Sequence, residues 1–287
     1  RSRGLGDVYK RQHNGVVALT LDGVPRISRA QNMDALTSMS TCAGYKGMIM
    51  AANDLPYFMP QMFTAVGQIV PAKVMVIGVG VAGLQALATA KRLGAITYAA
   101  DIRPMAAENA KSLGAQVVDT GVDPKLAVGE GGYAMRLPDD VLAAEREKLY
   151  PTIKEMDIVF CSALIPCKVA PTIITEEMVK GMKKGAAIVD ISIDQGGNCE
   201  CTPPGKHERI HDVMINGIKN IPGLLANSST WMFSQNIYNL TKYLTHDGKI
   251  VLDPQDEICK GITVTKDRKI VHAGCLEALG ADGPLEC

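Results

Sequence analysis

The stretch VMVIGVGVAGLQALATA, residues Val74–Ala90, decides the fold of this chain. It is uncharged between Lys73 and Lys91 and slightly short for a membrane span, and its glycines are spaced as G-x-G-x-x-G. A continuous apolar run ends at Ile77, and a helix-forming segment follows the glycines. The stretch therefore predicts a buried strand, a tight turn and a helix.

Strands and helices alternate along the chain after this stretch. Further strands are predicted at residues 96–101, 115–119, 157–162 and 187–192, and helices at 104–114, 139–156 (with a break at Pro151) and 175–185. Buried, β-branched strands that alternate with helices are typical of a parallel sheet covered on both faces. We therefore expect an α/β fold with a Rossmann-type, doubly wound parallel sheet.

The two ends of the chain have a different pattern. A strand is predicted at Val16–Thr20, a helix from Gln31 to about Asn53, and a hairpin in GITVTKDRKIVH, residues 261–272. We assign residues 44–228 to the Rossmann domain, and residues 13–43 and 229–287 to the remnant of a second α/β domain and its connecting helices. In the opening RSRGLGDVYKRQ, residues Asp7–Gln12 resemble a translated transposon-end adapter from a sequencing library, so we interpret residues 1–12 as a sequencing or cloning scar and exclude them from the fold prediction.

The composition excludes several classes of function. The chain has 287 residues with 30 basic and 30 acidic side chains, which argues against nucleic-acid binding. Its eight cysteines form no C-x-x-C pair, and Cys199 and Cys201 stand too close together in sequence for good metal ligands. We expect no metal site, and reduced thiols as in a cytosolic protein.

The three glycines and a later aspartate match a dinucleotide-binding fingerprint. Gly78 permits the tight turn, Gly80 lets the backbone approach a pyrophosphate, and Gly83 lets helix and strand pack closely. The helix N-terminus supplies free N–H donors for the phosphates. Asp101 ends the second strand, where a carboxylate accepts hydrogen bonds from ribose hydroxyls and favours NAD(H) over NADP(H). Arg103 complicates this choice because it could reach a phosphate, and glycines retained only for packing remain the alternative.

Three other segments are candidates for the site. Gly121–Pro138 is glycine-rich and long for a loop, which fits either a mobile functional loop or a plain surface connection. Ser162–Lys168 and Ser192–Asn198 directly follow apolar strands, and ligands of open α/β folds bind at such carboxyl ends. No histidine is expected at this edge, although dehydrogenases often use histidine as a proton shuttle. Hydride transfer between two nicotinamides would need no such shuttle.

Several motifs together resemble one protein family. They are RISRAQNMDALTSM, AGYKG, VPAKVMVIGVGVAGLQALATAKRLGA, GGYA, ALIP, GGNCE and KGITVTKDRKIVH. From Val16 to His272 the chain resembles the NAD(H)-binding component, or alpha subunit, of proton-translocating nicotinamide nucleotide transhydrogenase. The G-x-G-V-A-G-L-Q-A segment is shared with alanine dehydrogenases, whereas the RISRAQNMD stretch favours transhydrogenase.

The resemblance implies a function and a set of partners. The family component binds NAD(H) between two domains and docks on a separate NADP(H)-binding component. Hydride passes directly between the two nicotinamides, and membrane components couple this step to proton movement. We accordingly expect a homodimer when full length, located in the cytoplasm at the inner face of the bacterial cell membrane through its partner subunits.

The resemblance also implies roles for individual residues. Arg26, Gln31 and Asp34 would line the reacting nicotinamide, with Thr37 carrying a hydroxyl where the family usually has serine; alternatively, Ser28 or Asp34 merely caps the following helix and the arginines are solvated. Tyr133 would lie on a loop that closes over the nucleotide. The residues expected to bind the cofactor are Gly78, Gly80, Val81, Gly83, Asp101, Ile102, Arg103, Tyr133, Ser162, Ala163, Leu164 and Asn198.

Some features depart from the family pattern and leave alternatives open. Cys167 and Val169 stand where the family has glycine and proline, and Asp194 in SIDQGG matches a catalytic aspartate of alanine dehydrogenases. About a hundred N-terminal family residues have no counterpart, so we expect an N-terminally truncated chain that is inactive alone. An alanine dehydrogenase and a non-catalytic NAD-binding module are the alternative functions.

Overall fold

The computed structural model describes residues 4–129, 134–165, 169–281 and 283–286. The chain divides into a larger unit, Ser40–Ala226, and a smaller unit formed by the residues before and after it. These bounds lie close to the predicted Rossmann domain, residues 44–228. Helices α2 (Ala35–Asp54) and α8 (Ala226–Leu244) run through the two boundaries.

A seven-stranded sheet forms the centre of the larger unit. Its strands are β4 (Lys73–Ile77), β5 (Ile96–Ala100), β6 (Gln116–Val117), β7 (Ile158–Cys161), β8 (Ala187–Asp190), β9 (His207–Ile210) and β10 (Val213–Asn216). Their order is β6-β5-β4-β7-β8-β10-β9, and all neighbours are parallel except β10 and β9. The predicted Rossmann-type α/β fold is confirmed.

Both faces of this sheet are buried. The helices of the larger unit, besides its part of α2, are α3 (Val81–Arg92), α4 (Pro104–Ser112), α5 (Pro124–Ala127), α6 (Asp139–Ile153) and α7 (Glu176–Lys180). Alternate residues of β4 enter two separate cores: Val74 and Val76 pack with Leu87 on one face, and Met75 and Ile77 pack with Leu149 on the other. Burial on both faces explains why the strands are apolar throughout rather than alternating.

Several predicted elements differ in the structure. Helix α6 continues through Pro151 because its apolar face, with Leu149 and Ile153 fully buried, keeps the last turn packed on the core. The helix expected from Gln31 is instead a 3-10 helix over Ser28–Met33, and α2 starts only after Asp34.

Two hairpins of the larger unit were not predicted. One joins β2 (Met62–Thr64) to β3 (Gly67–Ile69), and the other joins β9 to β10. The sequence signal is weak in both cases because the strands are short and β2, β3 and β9 are largely exposed.

The smaller unit contains a four-stranded sheet. Its strands, in the order β1-β13-β14-β15, are β1 (Ala18–Leu19), β13 (Thr263–Lys266), β14 (Lys269–Ile270) and β15 (Leu285–Glu286). The predicted hairpin corresponds to β13 and β14, and the predicted early strand pairs with β13. The remaining elements are β11 (Thr245–His246), β12 (Lys249–Ile250), α9 (Glu257–Ile262) and α10 (Ala273–Leu279).

Residues 4–12, which lie in the segment interpreted as a scar, are helical in the structure. They belong to α1 (Gly4–His13). Val8 is buried with Val264 and Ile270, and the Gln12 side-chain amide donates a 2.7 Å hydrogen bond to the Leu285 carbonyl oxygen. Burial of one apolar side chain and one satisfied amide explains why the helix packs on this sheet.

Candidate nucleotide-binding site

The turn after β4 accepts only glycine at its first position. Gly78 has φ +84°, and a Cβ atom there would lie 2.5 Å from the main chain of Ala163. A Cβ at Gly83 would lie 2.2 Å from the Gly78 carbonyl oxygen, so helix α3 packs directly on the turn. This is the geometry that the fingerprint requires at its first and third glycines.

The space in front of α3 is open. Gly80 is the N-cap residue; among the residues that the structure describes, no side chain caps the helix and no atom lies within 4 Å of a Cβ built on Gly80. The first turn, which starts at Val81, therefore presents backbone N–H groups and the positive end of the helix dipole to an accessible space. Such a site suits an anionic phosphate.

Asp101 lies beside this turn and its carboxylate is fully engaged. Oδ2 accepts a 2.7 Å hydrogen bond from the Val79 N–H and a 2.8 Å bond from Arg103 Nη2. Oδ1 accepts bonds from the Arg103 backbone N–H, at 2.8 Å, and from its Nε, at 3.0 Å. The Asp101 side chain is only 4% exposed. Its hydrogen bond raises the pKa of the Arg103 guanidinium above the ordinary arginine value.

The segment after β7 is joined to the glycine turn. The Ser162 hydroxyl donates a 2.6 Å hydrogen bond to the Gly78 carbonyl oxygen, so this hydroxyl supports the turn. The Ala163 main chain lies against Gly78 and is fixed from its other side by Asn198. Leu164, which follows, is exposed.

Asn198 has a supporting position rather than the direct nucleotide contact that the sequence suggested. It is fully buried, and its amide nitrogen donates to the carbonyl oxygens of Ala163 and Pro171 at 2.9 and 2.8 Å. Its amide oxygen accepts from the Ala163 N–H and the Ser192 hydroxyl, both at 2.9 Å. All four bonds of the amide are used within the protein, so none is left for a ligand.

Asp190 was missed by the sequence analysis although it organises this edge of the sheet. It is completely buried at the end of β8, and its oxygens accept hydrogen bonds from the N–H groups of Ser192, Asn198 and Cys199 and from the Thr202 hydroxyl. Burial raises its pKa, although these four bonds act in the opposite direction. An acidic residue at the end of an otherwise apolar strand was the available signal.

Asp34, at the end of the RISRAQNMD segment in the smaller unit, has a local role at the start of α2. Asp34 Oδ1 accepts a 2.9 Å bond from the Thr37 N–H, and Oδ2 accepts a 2.6 Å bond from the Thr37 hydroxyl. Asp34 therefore caps α2, which was the structural alternative for this residue. Arg26 and Gln31 are exposed.

Comparison with known proteins agrees with this arrangement. Residues 47–273 match the family described as alanine dehydrogenase/PNT, C-terminal domain. The chain belongs to this family.

Transhydrogenase alpha subunits are prominent among the relatives of this family member. It is 42% identical to an NAD(P) transhydrogenase alpha-subunit chain of Rhodospirillum rubrum, over 90% of the chain and 68% of the relative. It is 41% identical to the NAD(P) transhydrogenase subunit alpha of Cereibacter sphaeroides, over 90% of the chain but only 50% of that protein. Alanine dehydrogenases match at 28% and 30% identity, so the transhydrogenase alpha subunits are the more similar group.

A solved structure supports the same assignment. The transhydrogenase from Sinorhizobium meliloti superposes with a TM-score of 0.80 at 34% identity, over 93% of this chain and 71% of that one. In the part of the transhydrogenase-family chain that the structure describes, no helix is both long enough and apolar enough to cross a membrane.

Two further features of the family member concern a pocket and the side chain of Asp194. A shallow pocket of about 250 Å³ is lined by Ala43, Ile191, Asp194, Ile218, Asn220, Ile221 and Pro222, all in the larger unit. Asp194 has an exposed side chain 3.6 Å from the Lys219 ammonium group. Tyr133 and Cys167 lie outside the described residues, whereas Val169 is described and exposed.

Glu145 is an unexpected buried carboxyl group whose pKa is influenced by Asp101. It lies on α6 at helical spacing from Leu149 and Ile153, and all three are buried. Burial and the negative charge of Asp101 raise the pKa of Glu145 to about 7, against the opposing effect of Arg146. An acidic residue in register with an apolar helical face was the sequence signal for it.

The raised pKa predicts a pH-dependent gain in stability for Glu145→Gln. Between the ordinary glutamate pKa of 4.5 and about 7, the unfolded chain loses this proton while the folded chain keeps it, so the parent loses stability as pH rises. The glutamine side chain does not titrate, so the variant does not lose stability in this way. Its free energy of unfolding, measured by urea titration, should exceed the parent's by an amount that grows by about 2 kcal/mol from pH 5 to pH 8.

Glu147→Gln, at an exposed position of the same helix, is the matched control and should show no such pH-dependent difference. A Glu145→Gln difference that stays constant from pH 5 to pH 8 would contradict a proton held by the folded protein.

Proposed function

We propose that this chain is the NAD(H)-binding part of a transhydrogenase alpha subunit. The observation that carries the proposal is the open N-terminal turn of α3 beside the buried Asp101 carboxylate, in a chain 42% identical to a transhydrogenase alpha subunit. NAD(H) would supply the hydride-carrying nicotinamide, and NADP(H) would be held by a separate partner component.

The residues of the larger unit account for binding of the adenosine diphosphate part. The N–H groups that begin at Val81 would receive the pyrophosphate, and Gly80 leaves room for its approach. Asp101 would accept the ribose hydroxyls, with Ile102 and Arg103 next to it in the chain. Ser162 and Ala163 would hold the turn in place, and the exposed Leu164 would lie at the edge of the nucleotide.

The reacting end of the nucleotide is assigned through the family resemblance. Arg26 and Asp34 would hold the NAD(H) carboxamide and nearby sugar, with Thr37 supporting Asp34 through the bonds described above. Gln31 would bridge the two nicotinamides. Tyr133 would close over bound nucleotide. Direct hydride transfer demands near contact between the two rings, so residues that fix the ring contribute by position.

The proposed assembly includes the NADP(H)-binding and membrane components of a transhydrogenase, which would hold the chain at the cytoplasmic face of the bacterial membrane. A homodimer is part of the proposal. The exposed apolar residues Phe63, Val66 and Val70, in and next to the β2–β3 hairpin, support a protein contact there. Transfer specific for the Re and Si faces, coupled to proton translocation, would then require the whole assembly.

The weaker similarity to alanine dehydrogenases supports one alternative function, the NAD-dependent oxidation of alanine. It is favoured by a single observation, the exposed Asp194 beside the pocket, because the matching aspartate of those enzymes is catalytic. NAD-dependent oxidation of alanine by the complete protein would support it.

Asp101→Ala should weaken NADH binding by about tenfold, because charge-assisted hydrogen bonds to the ribose are lost. It should also reduce discrimination against NADPH, since a carboxylate repels the 2′-phosphate. Fluorescence titration with both nucleotides measures these effects.

Asp212→Asn is the control for Asp101→Ala, because it removes a negative charge in the hairpin at the far edge of the same sheet. Equal NADH affinities in Asp101→Ala and the parent would remove Asp101 from the proposed site.

Gln31→Asn should strongly slow hydride transfer to an NADP analogue and leave NADH affinity almost unchanged, because its proposed contribution is positional. The assay uses a complete alpha subunit with the change, mixed with an NADP(H)-binding component. Asn32→Ala is the matched control, since Asn32 is also exposed and bonds Asn236 and Asn239 through its main-chain oxygen. Transfer at the parent rate would exclude Gln31 from the reacting centre.

A further inference from the structure

The hydrogen bonds of the Asp101 carboxylate fall into two kinds. Two come from backbone N–H groups, of Val79 on Oδ2 and of Arg103 on Oδ1, and both are set by the turns that these residues occupy. The other two come from the Arg103 guanidinium, with Nε on Oδ1 and Nη2 on Oδ2. The guanidinium thus places one donor on each carboxylate oxygen.

These four bonds fill the carboxylate. An ionised carboxylate offers about four lone-pair sites, two on each oxygen. The backbone bonds use one site on each oxygen, and the guanidinium uses the other. No acceptor capacity therefore remains for a ligand while the Arg103 side chain stays in this position.

A ribose requires the two positions that the guanidinium occupies. The 2′- and 3′-hydroxyls are adjacent donors, and a carboxylate that binds both receives one on each oxygen, as it does from the planar fork of arginine. The Arg103 side chain is 23% exposed, whereas that of Asp101 is 4% exposed, so the arginine is the partner with access to solvent.

We propose that Arg103 is a displaceable stand-in for the ribose diol, exchanged for the two hydroxyls when a nucleotide binds. The proposal rests on the NAD(H) site described above and assigns Arg103 a specificity-determining role in it. A buried carboxylate without a partner is costly, so the fork stabilises Asp101 until the ligand arrives. A ligand without the diol cannot replace these bonds and leaves the fork in place.

The exchange predicts an effect that depends on the diol. Calorimetry measures the dissociation constants of ADP and of 2′,3′-dideoxy-ADP, which differ only in the diol. Comparing the two ligands cancels every effect that they share, including attraction of their phosphates to a nearby positive charge. In Arg103→Ala, ADP no longer has to displace the fork, whereas the dideoxy ligand never did. The ratio of the dissociation constants, dideoxy-ADP over ADP, should therefore rise about three- to tenfold above the parent's ratio.

Two further variants complete this experiment. Arg103→Lys keeps the charge without the two-pronged fork, so its ratio should also rise, by less than that of Arg103→Ala. It provides a second measurement if Arg103→Ala is poorly folded. Arg92→Ala, at an exposed position at the end of α3, is the matched control and should keep the parent's ratio.

The outcomes separate this inference from the proposed function. Equal binding of the two ligands by the parent and by both Arg103 variants would show that Asp101 does not receive the ribose, and the proposed site would fail with the inference. A parent that prefers ADP, together with an unchanged or lower ratio in both Arg103 variants, would overturn the exchange and leave the NAD(H) site standing.

Discussion

Gly78 and Ala163 approach so closely that no side chain fits between them, and the proposed nucleotide site depends on this contact. A Cβ on Gly78 would be 2.5 Å from the Ala163 backbone. The other side of Ala163 is held by Asn198, whose own backbone N–H is bound by the buried Asp190 carboxylate. This chain of contacts links the ends of β4, β7 and β8 and fixes where α3 begins. The first turn of α3 is consequently placed by buried groups, while the space before it stays open.

Asp101 connects this framework to the electrostatics of the site. Its bond from the Val79 N–H orients the carboxylate against the glycine turn, and Arg103 balances its charge. The same negative charge contributes to the raised pKa of Glu145. The two buried carboxyl groups thus differ in their surroundings. Asp101 is paired with the Arg103 guanidinium, whereas Glu145 lies on the apolar face of α6. The charged carboxylate at the proposed ribose position is therefore that of Asp101, paired with Arg103.

The parts of the fold that depend on local sequence were predictable. The order of strand, glycine turn and helix follows from the hydrophobic periodicity and from glycines such as Gly78, which mark a turn that other residues do not easily adopt. Asp101 was found because its distance from the glycines is part of the same local pattern. Asp34 could be foreseen as a helix cap, although its partner Thr37 was interpreted differently.

The parts that depend on tertiary contacts were not predictable. The pattern at Pro151 indicates a break, and only the packing of Leu149 and Ile153 shows why α6 continues. Asn198 looks like a ligand by its place after a strand, but burial and four internal bonds make it a support. Strand β9 is largely exposed, so its sequence carries no apolar signal. Hydrogen bonding to β10 holds it in the sheet. In each case packing or hydrogen bonding in the folded chain, and not the local residue pattern, decides the outcome.

Nuclear magnetic resonance of the ¹⁵N-labelled chain during NADH titration tests the central claim most directly. The account predicts that the largest shift changes occur at backbone amides 79–83, in the glycine turn and the first turn of α3, and at amides 101–103. Saturable binding of NADH with shifts confined to other parts of the chain, and none at these two segments, would contradict it.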